Sequence, residues 1–248
     1  MATDYFDERV AAGYDEGSAE ISQPAAVAPV VDFLAPLAGG AGALEFGVGT
    51  GRIALALSGR GVRVHGLDLS EAMVARLRAK PGADAISVTI GDFARTSVGA
   101  RFGLVYLVFN TIMNLTTQEE QVGCFRNAAA HLQPGGYFVV EVMVPQLRRL
   151  PPGDTTRVFA LSPEHLGFDE YDVANQGLIS HHYRVTGGQL GVWSVPFRYV
   201  WPAELDLMAR LAGMTLWQRW GGWRREPFTS DSADHVSVWR TGEGAGAG

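Results

Sequence analysis

The sequence predicts an α/β fold: a doubly wound, mostly parallel seven-stranded sheet with an antiparallel β insertion after strand five. Three observations predict it. Short apolar runs alternate with amphipathic helical segments through the first 150 residues, as parallel strands alternate with their crossover helices. The first run ends in a turn crowded with glycine, "LEFGVGTGR" at residues 44–52. Beyond about residue 150 the pattern changes to closely spaced strand-like runs separated by turn residues, the signature of hairpins.

Length and charge set bounds around that fold. At 248 residues and 47% hydrophobic content, the chain buries a core of its own as one domain, or as one domain with a modest elaboration. A net charge of -6 and a pI near 5.5 argue against duplex nucleic acid as a partner, since phosphate binding needs clustered Lys and Arg. The only lysine, Lys80, sits in an exposed-looking helix end, "RAKPG", which discounts Schiff-base chemistry. Cys124, the only cysteine, lies in a helical pattern and is expected to be a buried structural thiol; no Cys/His set has zinc spacing. No basic-then-apolar leader or long uninterrupted apolar run stands out, so a cytoplasmic protein without a membrane partner is expected.

Taken in order, residues 1–34 are helix-prone and acidic and are expected to form an N-terminal helical lid. Strand "GALEF" leads into the glycine turn and helix "GRIALALSGRG"; strand "VRVHGLD" leads into helix "SEAMVARLRAK". Ser70 is placed to cap the latter helix, with Glu71 in its first turn. Strands "ISVTI" and "FGLVYLVF" follow, then a helix from Thr117, whose spacing to Glu120 is that of a capping box. Val122, Phe125, Ala129 and Leu132 share one face of that helix, and "QPGG" ends it before strand "YFVVEVMV". The expected insertion, residues 149–199, holds three or four antiparallel strands. The core, residues 35–148, resumes over 200–241 with helix "PAELDLMARLAG" and strands "MTLWQRW" and "HVSVWR"; the small, polar tail 242–248 is expected to be flexible.

Three glycines at alternate positions raise the question of which ligand needs so much bare backbone. Glycine is kept where φ must be positive or where something approaches the chain closely. In a doubly wound sheet the first strand-to-helix turn lies where ligands bind, and the helix N-terminus offers free N–H groups to a carboxylate or phosphate. Gly49, Gly51 and Ala54 satisfy the relaxed dinucleotide spacing, with Asp68 where a ribose-binding acid should be. Glu45 stands against a dinucleotide, since an acid just before the glycines suits a cationic ligand group better than a pyrophosphate.

"LEFGVGTGR" resembles motif I (E/D-x-G-x-G-x-G) of class I S-adenosylmethionine-dependent methyltransferases. Other segments follow in register: "GLDLSEAM" at the acidic end of strand two, "GDF" after strand three, "LVFNTIMNL" after strand four, and "HLQPGGYFVVEV" for the helix, turn and fifth strand. The resemblance implies a Rossmann-like methyltransferase sheet covering residues 5–145, and the inserted sheet is similar to that of bacterial natural-product methyltransferases. It implies that Gly47 and Gly49 approach the methionine part of the cofactor, with Glu45 holding its ammonium directly or through water. Asp68 would bind the ribose hydroxyls, Leu69 and Phe93 would flank the adenine, and Asp92 would receive its exocyclic amine. Phe109 and Asn110 would close the sulfonium side, and Gly51, Arg52, Met73 and Gly91 would complete the cofactor set. Tyr14 matches the aromatic of an N-terminal lid and is carried as a catalytic candidate as well as a cofactor contact. "FNTIMN" lacks the N-P-P-Y type segment of base and glutamine-amide methyltransferases, which sets nucleic acid further aside.

The expected activity is methyl transfer from S-adenosyl-L-methionine, by in-line displacement, to an N or O atom of a small metabolite in natural-product biosynthesis. The alternatives carried are a non-methylating cyclase or binding protein on the same fold, and an NAD-dependent oxidoreductase. The partner is a small-molecule acceptor, and the oligomeric state is open, with a homodimer as the option kept. One catalytic expectation comes from "LISHHYRV", residues 178–185. Adjacent strand residues face opposite ways, so only one of His181 and His182 looks into a pocket. His181, sharing its face with Ile179 and Tyr183, is expected to be that residue and to take the acceptor's proton, with His182 on a solvated face.

Overall fold

A computed structural model describes residues 23–243 together with Glu8, Ala11 and Tyr14. Its main sheet has seven strands: β1 (Ala43–Phe46), β2 (Val64–Asp68), β3 (Ser87–Ile90), β4 (Phe102–Leu107), β5 (Leu132–Met143), β10 (Met214–Trp220) and β11 (Asp234–Thr241). Their order is β10-β11-β5-β4-β1-β2-β3, with β1 to β5 parallel and β11 antiparallel to both β5 and β10. The order reverses between β1 and β4, which puts a crevice at their carboxyl ends. A second sheet, antiparallel and of four strands, is inserted after β5: β6 (Thr156–Leu161), β7 (His165–Asp172), β8 (Gly177–Thr186) and β9 (Gln189–Arg198).

Helices cover both faces of the main sheet. Helix α1 (Pro24–Ala38) and α2 (Arg52–Ser58) pack on one side, where Val30, Val31, Leu34, Ile53 and Leu57 join Leu104, Tyr106 and Val139. On the other side α4 (Gln118–His131) and α5 (Pro202–Leu211) set Phe125, Leu205 and Met208 against Phe138, Val140 and Trp239. Helix α3 (Glu71–Arg78) begins as its cap predicts, Ser70 Oγ accepting from the Met73 N–H at 3.3 Å. Thr117 and Glu120 form the expected capping box, with both bonds at 3.2 Å.

Three local expectations change. The buried face of α4 is Gln121, Cys124, Phe125, Ala128 and His131, with Val122 and Ala129 at its margin. Gln121 turns inward because its amide donates to the Ile112 and Leu115 carbonyls just ahead of the helix and to the distant Arg198 carbonyl. β5 starts at Leu132, immediately after α4, so "QPGG" lies within the strand. Residues 24–38 form one helix packed on the sheet, so a lid extending to residue 34 is too long. Most of what remains of that segment, like the tail beyond residue 243, lies outside the described residues. By length and composition, Pro24–Ala41 is also apolar enough to cross a bilayer, at a mean hydropathy of 1.4, contrary to the expectation of no long apolar run. The burial of Val30, Val31, Phe33, Leu34 and Ala38 accounts for that composition: the helix is apolar because it packs on the sheet.

Candidate cofactor and acceptor site

The glycine turn takes the conformation its composition calls for. Gly47, Gly49 and Gly51 have φ of +69°, +54° and +82°, and a Cβ at Gly47 would stand 2.6 Å from Thr111 Cγ2. Only glycine meets both demands without strain. The turn delivers the chain to the N-terminus of α2, where the Glu45 carboxylate takes the Ala54 N–H.

Asp68, at the end of β2, reaches across to this turn. Its Oδ2 accepts the Gly49 N–H at 2.6 Å and its Oδ1 the Ser70 N–H at 2.9 Å. The Gly91 N–H bonds the Asp68 carbonyl at 2.8 Å, so the ends of β2 and β3 are locked side by side and Asp92 follows directly. Asp92 Oδ1 accepts the Ala94 N–H at 2.8 Å, which holds its own turn. Leu69 is partly exposed beside Asp68. Met73 packs beneath the glycines, its Cε 3.4 Å from where a Gly49 Cβ would be. Phe93 is 8% exposed and stacks on Phe46 at 5.8 Å.

Glu45 is 2% exposed and accepts the Tyr106 hydroxyl at 2.9 Å. Burial pushes its pKa up to about 8, although the Tyr106 bond and the Arg52 charge pull the other way; nearby Asp68 adds to the rise. Arg52, in the first turn of α2, lies with Cζ 3.6 Å above the Phe109 ring. Phe109 and Asn110 are both left-handed, at φ +56° and +61°, and Asn110 Oδ1 accepts the Met143 N–H at 2.7 Å. Glu45, Asp68, Asp92, Phe109 and Asn110 come from four strand ends, and Arg52 and Met73 from two helix starts.

One group that the sequence did not single out stands in the same place. Glu141, near the end of β5, accepts the Phe109 N–H at 3.0 Å and the Trp223 indole N–H at 2.8 Å. Burial raises its pKa, and those two bonds oppose the rise. An acid interrupting the apolar run "YFVVEVMV" was the available signal. A groove of about 570 Å³ between α1 and α2 also reaches Arg52 and Lys80, and Lys80 Nζ donates to the Thr50 carbonyl at 2.9 Å.

The histidine pair is arranged opposite to expectation. Register places Leu178, Ser180 and His182 on one face of the inserted sheet, opposite Tyr171, Asp169 and Gly167, and Leu178 and Tyr171 enter the core beside Ile112 and Met113. His182 stacks between His165 at 5.5 Å and Trp193 at 4.9 Å, and burial lowers its pKa to about 4. His181 shares the outer face with Ile179, which is 41% exposed. It stacks on Phe168 at 4.7 Å, and its Nδ1 lies 2.8 Å from Ser194 Oγ and its Nε2 3.4 Å from the Glu170 carboxylate. Those partners all belong to the inserted sheet. Tyr14 is helical and half-buried.

Residues 43–136, from β1 into β5, match a family described as a methyltransferase domain. The chain is 37% identical to the CcbJ methyltransferase from Streptomyces caelestis, whose structure superposes with a TM-score of 0.87 over 98% of this chain and 99% of that one. The chain belongs to the S-adenosylmethionine-dependent methyltransferases. This methyltransferase is also 28% identical, over 94% of its length and 96% of the relative's, to a cypemycin N-terminal methyltransferase from a Streptomyces species. CalS10 of Micromonospora echinaspora, an amino pentose methyltransferase at 21% identity and a TM-score of 0.66, shares the fold. Family membership decides the glycine turn in favour of S-adenosyl-L-methionine over a dinucleotide. Gly47, Gly49, the start of α2 and the Asp68 carboxylate at the end of β2 stand together at the crevice.

Proposed function

We propose that this enzyme methylates an amine nitrogen of a small natural product. The cypemycin relative, named for an N-terminal acceptor and matched across nearly the whole chain, carries this reading. Once bound, the cofactor supplies a methyl group on a positively charged sulfur. The chain's part is to hold it, aim it and keep water away, because positioning alone supplies roughly 7–11 kcal/mol of the barrier. In this reading Glu45 pairs with the cofactor's ammonium, Arg52 complements its carboxylate and Asp68 binds the ribose hydroxyls. Leu69, Gly91 and Asp92 border the adenine, and Phe109 and Asn110 form the wall past which the methyl moves. A cytoplasmic location fits the single, buried thiol of Cys124.

The experiment is a screen with isotopically labelled methyl donor against paired acceptors, amines and their hydroxyl counterparts, among them aminosugars and peptides with free N-termini. Label is expected on the amines. Label on the hydroxyl partners alone would overturn the nitrogen assignment.

A further inference from the structure

The Phe109–Asn110 turn places two consecutive non-glycine residues in the left-handed region, at φ +56° and +61°. Each such residue is strained and persists only where its surroundings impose it. Here the end of β5 imposes it from both sides. Asn110 Oδ1 takes the Met143 N–H at 2.7 Å, and the Glu141 carboxylate takes the Phe109 N–H at 3.0 Å. Arg52 presses the Phe109 ring from above at 3.6 Å.

Glu141 is held in turn. Its second oxygen accepts the Trp223 indole N–H at 2.8 Å, and Trp223 packs edge-on against Phe33 of α1 at 5.4 Å. Arg225, in the same loop, lies 5.5 Å over the Phe33 ring. The loop between β10 and β11 thus ties α1 to the carboxylate that fixes the turn. A carboxylate suits this post: it only accepts, and it can take two N–H donors at once with charge-assisted bonds.

We propose that Glu141 is a positioning residue for methyl transfer, holding the Phe109–Asn110 turn in its left-handed shape through the Phe109 N–H, with Trp223 as its anchor. The inference rests on reading that turn as the wall past which the methyl moves. Methyl transfer needs donor and acceptor in line, and a displacement of about 1 Å costs on the order of 100-fold in rate. Freeing the turn therefore lowers kcat while leaving the glycine turn and Asp68, on other strands, to bind the cofactor.

The test compares Glu141→Ala, Glu141→Gln, Trp223→Phe and the Glu141→Ala/Trp223→Phe double variant by kcat, by S-adenosylhomocysteine affinity and by melting temperature. Glu141→Ala is expected to lose on the order of 10–100-fold in kcat with affinity within about threefold of wild type. Glu141→Gln, which keeps one acceptor oxygen for two donors, should recover part of that loss. Trp223→Phe should act in the same direction, and the double variant should be no worse than Glu141→Ala, because the two act as one unit. Wild-type kcat in Glu141→Gln and Trp223→Phe, with only the melting temperature lowered, would make Glu141 scaffolding and overturn the proposal. Product formation by the wild-type enzyme tests the methyl-transfer reading itself, whereas the variant-to-wild-type ratio tests Glu141, so the two failures are distinct.

Discussion

Replacing Glu45 with glutamine separates a charge from its shape at the most buried carboxylate of the site. In the unliganded enzyme burial holds the Glu45 pKa at about 8, so about nine-tenths of the molecules carry it protonated at pH 7. Pairing with the cofactor's ammonium requires the ionised form. Ionising it at pH 7 costs about 1.4 kcal/mol, one pH unit's worth, or roughly tenfold in affinity. Affinity for S-adenosylhomocysteine should therefore rise about tenfold from pH 6 to pH 7 and level off near pH 8, where the ligand's own α-amino group, with a pKa of roughly 8, begins to lose its proton. Binding at pH 7 should release about 0.8 proton, the 0.9 lost by Glu45 less the roughly 0.1 taken up by the ligand's amine. Isothermal titration in buffers of different ionisation enthalpy measures that number directly. The Glu45→Gln variant should bind more weakly, with no proton release and a flat profile between pH 6 and 7.5. Folding gives a second readout. Because the folded pKa lies above the ordinary 4.5, the stability contribution is complete below 4.5 and is lost as pH rises through 8, at about 1.4 kcal/mol per unit. The glutamine variant should not show that loss between pH 4.5 and 8. Proton release near zero in the wild-type enzyme, with pH-independent affinity, would refute the ammonium pairing.

Three further outcomes are expected. Asp68→Asn removes the charge but keeps an acceptor for the Gly49 or Ser70 N–H; cofactor affinity should fall tenfold or more, as expected for losing a charge-assisted bond of roughly 1.5–3 kcal/mol, with little change in melting temperature. His235 is fully buried and held neutral, at a pKa of about 3, by burial and the nearby Arg219 charge. Its stabilising contribution is whole above pH 6.5 and lost as pH falls toward 3, so between pH 6.5 and 5 urea unfolding should show about 2 kcal/mol more loss in the wild type than in His235→Phe. His181→Gln should leave kcat within about twofold, since its partners Ser194, Glu170 and Phe168 all lie in the inserted sheet; a loss of 100-fold or more, the scale of a missing general base, would restore it as a catalytic residue.

Features fixed by neighbours in the chain were legible from the sequence. The positive φ of Gly47, Gly49 and Gly51, the Ser70 cap and the Thr117–Glu120 box each depend on contacts within a few residues, so composition and spacing reveal them. The apolar periods likewise yielded the seven strands and the inserted hairpins, and an acid at each strand end pointed to Glu45, Asp68 and Asp92. Period two also required that His181 and His182 face opposite ways. It could not say which face is enclosed, because that depends on Leu178 and Tyr171 entering a core shared with Ile112 and Met113.

Tertiary structure alone decided the contacts that turn the crevice into a site. Trp223 meets Glu141 across 82 positions of chain, and Tyr106 meets Glu45 across 61. Phe93 stacks on Phe46 of β1. Gln121 became buried because three carbonyls from other segments needed its amide. A buried polar group costs free energy until a partner satisfies it, and the partner is whichever strand end the packing brings alongside. The sequence therefore determined the fold class, the glycine cradle and its acids. The pairings that hold Phe109 and Asn110, and the raised pKa of Glu45 and Glu141, follow from burial, a property of the folded molecule and of no short stretch of chain.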